Sequence, residues 1–449
     1  MAQYNIKQGR NIKIKGSAEK RVVAAALPKL VALVCEDLRG WLPKVLVAPG
    51  AVVKAGTPVV MDKNNEAIKL VAPVSGTVRA VNRGEKRALT NIVIEPDNSD
   101  AAEKFTRYQF SDLPGLSRAA VVTQLLAGGL WPCLRQRPFS RLADPALVPK
   151  AIFVHAMNTE PLAADVDFVL EGREKDFQAG LDIIRKLSPG QTHLCIDSRA
   201  RSAALTGAAG VELQRFSGAH PAGNVSTHIH CVDPVNKGEV VWYIEAQDVL
   251  RVAALFLRGV HSAERMVAVT GEGARERVYF KTVSGAPVAS LLAGSNLAGQ
   301  RCISGSILAG RNVGPEGFLG FYDSQVTVLP EGGKRELFGW MMPGFNKYTF
   351  TSTYMSAFLP RTENTLDTDT HGALRAIVWP ALYDDYVALD LMTFFLVRAI
   401  IVGDIEEMIS LGILECDEED FALCSFACPS KVDVGGYIRQ GLDLVEAEG

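Results

Sequence analysis

Glycine and proline interrupt the first hundred residues so often that long helices are excluded there. Between Lys44 and Gly84, short apolar runs alternate with turn dipeptides such as Pro49-Gly50 and Ala55-Gly56. Turns at such close intervals leave room only for short strands, which pack as a small barrel or sandwich. The sequence therefore predicts a β domain over residues 1–105.

The turns in this region follow a recognisable rhythm. Residues 47–58 have the pattern V-x-x-G-x-x-V-x-x-G-x-P, and residues 72–78 have the pattern A-P-x-x-G-x-V. Glycine permits the tight turns and close strand crossings of such a sandwich. The rhythm resembles biotinyl and lipoyl carrier domains, in which a lysine at a hairpin tip holds the prosthetic group, and Asp62-Lys63 stands in that place. The hairpin that follows is longer than we expect of a carrier, so we favour a sandwich without a prosthetic group.

The next part of the chain, residues 115–260, alternates between strand and helix patterns. Strands are predicted at 151–154, 192–196 and 240–244, and helices at 118–130, 177–187, 200–206 and 246–258. Such alternation indicates an α/β domain with a parallel sheet. The chain has no G-x-G-x-x-G phosphate fingerprint, so we expect this domain to be a scaffold.

The remaining chain divides into a β-rich part and a helical part. Residues 261–332 contain short apolar runs between glycine-rich turns, with one helix near 289–293, which predicts a β-grasp-like module. Residues 333–449 are predicted to be mostly helical. Their apolar stretch at 388–403 carries Asp390 and Arg398 and is shorter than the ~20 residues of a membrane span, which predicts a buried helix.

Net charge argues against a nucleic-acid-binding protein, and the N-terminal sequence argues against an exported, disulfide-rich one. Lys and Arg number 47 against 50 Asp and Glu, a net charge of −3, which gives no field to hold nucleic acid. The basic, polar first 16 residues lack the apolar core of a signal peptide, so we expect the eight cysteines to be reduced thiols. No disulfide framework is therefore predicted.

A loop at residues 130–139, L-W-P-C-L-R-Q-R-P-F, follows the pair Gly128-Gly129. The loop resembles the place where flavin-binding subunits of respiratory dehydrogenases carry a richer glycine loop around the FMN phosphate. A phosphate cradle needs several small residues so that backbone N–H groups can approach the phosphate. With two glycines followed by bulky residues, we favour a packed corner over a cofactor site.

Histidines cluster in residues 218–234. His220, His228, His230 and Cys231 lie within twelve residues of one another. If this piece were a strand, His228 and His230 would share one face and could act together on a metal, a proton or a quinone. The spacing matches no known zinc pattern, so we favour hydrogen-bonded histidines and predict no metal site.

A final motif lies near the C-terminus. Cys424, Cys428 and Pro429 fit the C-x3-C-P end of a bacterial ferredoxin run, with Cys416 nearby. One cluster needs four thiolates, and Glu418 and Phe421 stand where the preceding cysteines belong. The motif therefore indicates a vestigial ferredoxin-like segment without an iron–sulfur cluster.

These segments in this order resemble one family, NqrA, which is the A subunit of the Na+-translocating NADH:quinone oxidoreductase. The strings that carry the resemblance lie at 60–65, 71–76, 82–87, 129–139, 151–154, 161–165, 220–223, 227–230, 247–249, 303–310 and 416–431. The family implies a barrel-sandwich hybrid (biotinyl/lipoyl-like) domain at 1–105 and a Rossmann-like α/β domain at 115–260. It also implies an SLBB/β-grasp domain at 261–332 and a C-terminal helical segment at 333–449.

The resemblance also implies a function. The chain would be a peripheral subunit on the cytoplasmic face of the bacterial inner membrane, bound to integral-membrane and other subunits. That complex passes electrons from NADH to quinone and pumps Na+, with the flavins and iron–sulfur clusters in partner subunits and no catalytic site or cofactor in this one. The alternative is an iron–sulfur electron carrier of the RnfC type, a family that keeps complete cysteine runs.

A quinone headgroup would need apolar and aromatic walls with a few polar groups. Six side chains from the loop and the histidine cluster are the candidates for such a quinone site: Trp131, Arg137, Phe139, His220, His228 and His230.

Overall fold

The structure is a computed structural model that describes residues 2–333, 336–350, 352–359, 363–377 and 380–449. Within these ranges the chain forms four β-sheets and eleven α-helices. The order along the chain is two small sheets, a seven-stranded sheet flanked by helices, a six-stranded sheet, and a helical region.

The strands of the first hundred residues are β1 (Ala2–Asn5), β2 (Glu19–Ala24), β3 (Val31–Val34), β4 (Pro43–Val45), β5 (Val52–Val53), β6 (Pro58–Asp62), β7 (Lys69–Val71), β8 (Gly76–Arg83) and β9 (Leu89–Pro96). One antiparallel sheet has the order β3-β9-β8-β5, and a second has the order β4-β6-β7. Residues from both sheets share one core. A Cβ on Gly76, whose φ is +155°, would lie 2.0 Å from the carbonyl oxygen of Glu95, so only glycine fits this crossing. The predicted sandwich of short strands is confirmed over Val31–Pro96.

The second region has strands β10 (Arg135–Arg137), β11 (Arg141–Leu142), β12 (Ala151–Ala156), β13 (Gln191–Asp197), β14 (Glu212–Ser217) and β15 (Val241–Glu245). Its helices are α1 (Arg118–Ala127), α2 (Val166–Val169), α3 (Glu174–Ile184), α4 (Ala203–Thr206), α5 (Val225–Val232) and α6 (Ala246–Arg258). The sheet order is β1-β14-β13-β12-β15-β10-β11, in which β10 and β11 form the antiparallel edge beside five parallel strands.

Local sequence explains the helix bounds in this α/β region. The Ser117 hydroxyl caps α1 by accepting a hydrogen bond from the Ala120 N–H, and α1 ends at Ala127, earlier than predicted. The predicted bounds of α6 are confirmed, since Gly259 ends the helix in a left-handed conformation with φ +65°. The predicted alternation of strands and helices is thus confirmed.

The third region has strands β16 (Glu264–Thr270), β17 (Val278–Val283), β18 (Gln300–Ser304), β19 (Arg311–Asn312) and β20 (Gln325–Pro330), with helix α7 (Val288–Leu291). Its sheet has the order β19-β18-β20-β16-β17-β2. Both β1 and β2 therefore extend sheets that lie far away in sequence, while the strands of the N-terminal sandwich start only at Val31. The predicted domain bounds stay a prediction.

The last region ends in α8 (Thr393–Val402), α9 (Ile405–Ser410), α10 (Ala422–Ala427) and α11 (Val434–Glu448), which share a separate core. The predicted helical character is wrong for the first half of this region, because the described part of 331–392 contains only 3-10 turns and one isolated bridge. Pro343, Gly339 and Gly344 disfavour an α-helix there.

Helix α8 also differs from its prediction as a buried helix. It begins at Thr393, and its side chains Phe395, Ile401 and Val402 are exposed, so one face lies on the surface. None of the helices in the described ranges is both long and apolar enough to cross a membrane.

Candidate functional site at the carboxyl end of the seven-stranded sheet

Two ionisable side chains stand where the central parallel strands end. His155 lies near the end of β12, and Glu245 is the last residue of β15. The His155 Nδ1 atom lies 2.8 Å from Oε2 of Glu245, and Nε2 lies 2.6 Å from the Gly223 carbonyl oxygen. Open α/β sheets bind their ligands outside this edge, so the pair marks the candidate site.

Arg135, on the adjacent antiparallel strand β10, adds a second positive charge. Its Nη2 donates to Oε1 of Glu245 at 2.9 Å, and its guanidinium lies 4.5 Å and 4.2 Å from the ring centres of Tyr243 and Tyr322. Burial opposes ionisation of Glu245, but the charges of His155 and Arg135 outweigh it and lower the Glu245 pKa to about 2. Glu245 is therefore a partly buried, ionised carboxylate with its partners in place.

An acidic turn from the C-terminal region packs beside α5 and against Arg137 of β10, whose backbone pairs with Val241 at the start of β15. The turn comprises residues 415–420, which we call the acidic turn. Buried Arg137 donates through Nη1 to the Cys416 carbonyl oxygen at 3.1 Å, and its Nη2 lies 3.1 Å from Oδ2 of Asp417 and 3.5 Å from Oε1 of Glu419. The protein's own carboxylates thus occupy the place in which an external anion would meet these arginines.

Further hydrogen bonds hold the acidic turn. Asp417 accepts from the Ser140 hydroxyl at 2.5 Å and from Arg439 Nη2 at 2.6 Å. Asn224 Nδ2 donates to Oδ1 of Asp420 at 3.0 Å. The turn is therefore fixed by the α/β region on one side and by α11 on the other.

The crowding of carboxylates within the acidic turn separates their proton affinities. Burial, together with the charges of Asp417 and Asp420, raises the pKa of Glu419 to about 8. Burial also opposes ionisation of Asp417, but Arg137 and Arg439 outweigh it and lower the Asp417 pKa well below its usual range. At neutral pH Asp417 is thus ionised while Glu419 is mostly protonated.

The three histidines lie on a helix and its preceding turn, so the condition under which His228 and His230 would share one face, a strand at residues 228–230, is not met. Helix α5 places His228 and His230 about 200° apart around its axis, so they face different surroundings. Asn224 precedes the helix, and apolar residues of α5 pack on the sheet. The two side chains cannot act as a pair of ligands on one face.

Burial and partners give these histidines different charges. His228 packs on Phe216 with ring centres 4.2 Å apart, and burial lowers its pKa well below its usual value. Burial also lowers the pKa of His220 to about 4, with Nδ1 lying 3.2 Å from the Thr159 hydroxyl. The half-buried His230 lies 2.7 Å from a carboxylate oxygen of Glu415, and this contact raises its pKa.

The structure brings only some of the six candidates together. His228 lies 5.4 Å, between ring centres, from the His155 ring, and Arg137 and His230 both contact the acidic turn. Phe139 reaches the same region through its carbonyl oxygen, which accepts from Arg439 at 3.1 Å.

Trp131 lies elsewhere. It is fully buried in the main core, where its Nε1 donates to the Ala143 carbonyl oxygen at 2.7 Å and its ring meets Trp242 edge-on. Its polar atom is satisfied inside the fold, so it contributes packing to the corner and does not face the acidic turn.

Comparison with known proteins agrees with this architecture. A model described as the NqrA N-terminal barrel-sandwich hybrid domain matches residues 4–97, one described as the NqrA second alpha/beta domain matches 116–261, and one described as the NQRA C-terminal domain matches 266–314. The A subunit of the Na(+)-translocating NADH-quinone reductase of Klebsiella pneumoniae (strain 342) is 40% identical over 446 residues, 99% of each chain. The chain belongs to the NqrA family.

Other relatives carry the same name. The A subunit from Yersinia pseudotuberculosis serotype O:1b (strain IP 31758) is 39% identical over 448 residues, 99% of each chain. That from Marinomonas sp. (strain MWYL1) is 38% identical over 99% of this chain and 100% of the relative. These relatives do not support the RnfC-like alternative.

The glycine pair of this NqrA-family chain serves packing. A Cβ on Gly129, whose φ is +66°, would lie 2.5 Å from the Val71 side chain, and one on Gly128 would lie 2.5 Å from that of Leu255. The pair therefore lets the sandwich approach the α/β region closely. The predicted packed corner is confirmed, and the residues present do not fit a phosphate cradle.

The C-terminal cysteines of the NqrA-family chain are core residues. Cys428 Sγ lies 3.1 Å from the Tyr383 hydroxyl, and the thiol of Cys424 donates to the Tyr383 carbonyl oxygen at 3.6 Å. Burial raises the pKa of the Cys416 thiol, so it stays protonated. Within the described residues, no group of three or more His, Cys, Asp or Glu side chains could hold a metal ion. The thiols do not fit an iron–sulfur cluster.

Sequence reasoning missed the centre of the site. His155, Glu245 and Arg135 were not among the candidates, although His155 and Glu245 directly follow the strands predicted at 151–154 and 240–244, where sites of parallel sheets form. That positional signal was available, whereas the link between Arg137 and Asp417 spans 280 residues and has no local signature.

Proposed function

We propose that this chain is the peripheral NqrA component of a Na+-translocating NADH:quinone reductase, held by other subunits at the cytoplasmic face of the bacterial inner membrane. The observation that carries the proposal is identity of 38–40% to A subunits of this reductase along 99% of the chain. The contribution of the chain is assembly with membrane and other subunits, together with reduction of quinone to quinol.

We assign the finer fold types on the same basis. Counted from β12, the parallel strands have the spatial order 3-2-1-4, which supports a Rossmann-like domain. The two small sheets around one core support a biotinyl/lipoyl-like sandwich without a prosthetic group.

We further propose that the flavins and iron–sulfur clusters of the complex reside in partner subunits. What supports this is the use of the available groups inside the fold, since the corner glycines pack against Val71 and Leu255 and the C-terminal thiols contact Tyr383.

The six candidates remain the proposed quinone contacts, and the geometry ranks them. Trp131, Arg137, His220 and His228 are buried, so a headgroup could reach them only after the core opened. His230 is only partly buried, and its contact with Glu415 raises its pKa, which favours a ring that can donate to a quinone oxygen. His230 is therefore the first residue to test.

The experiment uses membranes from a host that lacks its own NqrA. Adding this chain is expected to restore Na+-dependent reduction of a soluble quinone by NADH, and the chain is expected to co-purify with the other subunits. Failure of both would refute the assignment. If a quinone contacts His230, the His230→Gln complex will show a raised KM for quinone with unchanged oxidation of NADH by an artificial acceptor, whereas an unchanged KM would remove His230 from the site.

A further inference from the structure

A surface of exposed apolar side chains lies between the third region and α8. We call it the 337–359 surface. Its members are 41–85% exposed: Leu337, Phe338, Met341, Met342, Met355, Phe358 and Leu359. Scattered exposed apolar residues are normal in soluble proteins, but these seven and Phe345 make eight within one short segment, and large patches mark interaction sites.

The two halves of the 337–359 surface are joined to each other. The Met355 N–H donates to the Pro343 carbonyl oxygen at 2.9 Å. Lys347 Nζ donates to the Gly339 carbonyl oxygen at 2.8 Å and lies 5.6 Å from the centre of the Tyr354 ring. The Met355–Pro343 and Lys347–Tyr354 contacts hold residues 343–347 next to residues 354–355, so the two groups of exposed side chains lie on neighbouring parts of the fold.

The same segment is anchored to the folded core. Phe350 is buried against Phe426 and Tyr386, with ring centres 5.3 Å and 5.0 Å away. Arg10 Nη1 donates to the Phe350 carbonyl oxygen at 2.5 Å. The segment is therefore anchored at Phe350 to the C-terminal core.

The size of the patch suits a protein interface. Large apolar side chains bury on the order of 150–200 Å² each when covered, so seven of them at roughly half exposure or more amount to about 700 Å². A stable interface of standard size buries about 800 Å² per partner. Covering this surface alone would bury most of the area that one subunit contributes to an interface of standard size.

Backbone and charge favour a protein over lipid as the occupant. The described part of this segment has only 3-10 turns, and irregular backbone exposed to lipid leaves polar groups unsatisfied in hydrocarbon. Residues 331–363 contain four Lys or Arg against three Glu, far from the basic cluster that binds anionic lipid headgroups. Met and Phe are the residue types that protein interfaces favour.

We propose that the 337–359 surface is the docking site for an uncharged apolar segment of another subunit of the reductase complex. The proposal rests on the proposed function, since it names where the NqrA-family chain meets its partner. The apolar side chains of the partner segment would cover Phe338, Met342 and Phe358, and its lack of charge would match the sparse charge of this surface.

The test compares two variants of the full chain in the membranes that lack NqrA. One is Phe338→Ser/Met342→Ser/Phe358→Ser, which removes apolar area from the surface. The matched control is Val52→Ser/Val148→Ser, which removes exposed apolar groups that lie outside it. Circular dichroism and thermal unfolding of each purified chain establish that both are folded before assembly is measured.

We expect the triple variant to fold like the wild type but to co-purify with the other subunits at least tenfold less, while the control assembles normally. Normal assembly of the triple variant, or equal loss in the control, would overturn the docking site. Failure of the wild-type chain itself to assemble would instead refute the proposed function. Flotation with protein-free anionic vesicles gives a second readout, because patch-dependent binding to them would identify lipid as the occupant and overturn the proposal.

Discussion

The acidic turn and the 337–359 surface belong to the same C-terminal region and present opposite chemistry. The acidic turn is polar and closed, and Arg137 of β10 pairs with its carboxylates. The 337–359 surface is apolar and open, with Leu337 85% exposed. The carboxylates of the acidic turn are paired with arginines of the same chain, whereas the apolar side chains of the 337–359 surface are exposed to solvent.

This contrast teaches where the chain has surface left for other molecules. The guanidinium groups of Arg135 and Arg137, beside the candidate site, are already paired with carboxylates of the same chain. The apolar surface offers seven large side chains that the fold of this chain does not cover. We infer that the chain acts through contacts with other subunits more than through a pocket of its own.

The largest expected effect on the unfolding free energy comes from removing Arg137, which pairs with the acidic turn. Arg137→Met removes one of the two arginines that pair with the buried Asp417 carboxylate and leaves Arg439 in place, which costs about 2–3 kcal/mol of unfolding free energy. Urea denaturation of the purified chain measures the loss. The control, Arg141→Met, removes a half-exposed pair with Glu446 and is expected to cost no more than about 1 kcal/mol. Equal losses for both would mean that the acidic turn does not hold the two regions together.

A smaller effect follows from the proton on Glu419. Its pKa of about 8 in the folded chain exceeds its unfolded value of about 4.5, so it favours folding at low pH, and that stabilisation is lost as pH rises toward 8. Because about a third of the side chain is exposed, we expect a loss of only about 1–2 kcal/mol. Glu419→Gln should remove this part of the pH dependence of unfolding, whereas Glu446→Gln should retain it. A pH profile unchanged by Glu419→Gln would show that the carboxyl is ionised in the folded state.

How far the sequence predicted these two regions depends on the range of the interactions involved. Helix α6 follows from its apolar period and from Gly259, which are local. The closed site depends on Arg137 meeting residues 415–420, and the sheet edges depend on β1 and β2 crossing to distant strands. Such pairings are set by tertiary packing, which local patterns do not encode. The helix at Val225–Val232 has the same origin, since its run of mixed apolar and polar residues was compatible with either a strand or a helix until packing on the sheet selected the helix.

His230 gives a still smaller effect. The contact with Glu415 raises the His230 pKa, so the pair stabilises the folded chain below the unfolded value of about 6.5, and this stabilisation disappears as pH rises through the folded pKa. His230→Gln should lower the unfolding free energy at pH 5.5 by about 0.5–1 kcal/mol and leave it unchanged at pH 8.5. An equal change in unfolding free energy at pH 5.5 and pH 8.5 would mean that His230 stabilises the fold by packing and not by its charge.

The smallest effect per substituted residue is expected on the side chains of the 337–359 surface. Phe338→Ser/Met342→Ser/Phe358→Ser removes side chains that contact mainly solvent, so the unfolding free energy of the isolated chain should change by no more than about 0.5 kcal/mol per site. Thermal unfolding measures it. A loss as large as that of Arg137→Met would show that these side chains pack within the chain, and the contrast between the two regions would disappear.

Amide hydrogen–deuterium exchange, compared between the isolated chain and the assembled complex, tests the central claim most directly. The account predicts that assembly slows exchange in residues 337–359, because a partner segment covers them, and leaves exchange in residues 415–420 unchanged, because the fold already closes that turn. Unchanged exchange in residues 337–359, together with altered exchange in residues 415–420, would contradict it.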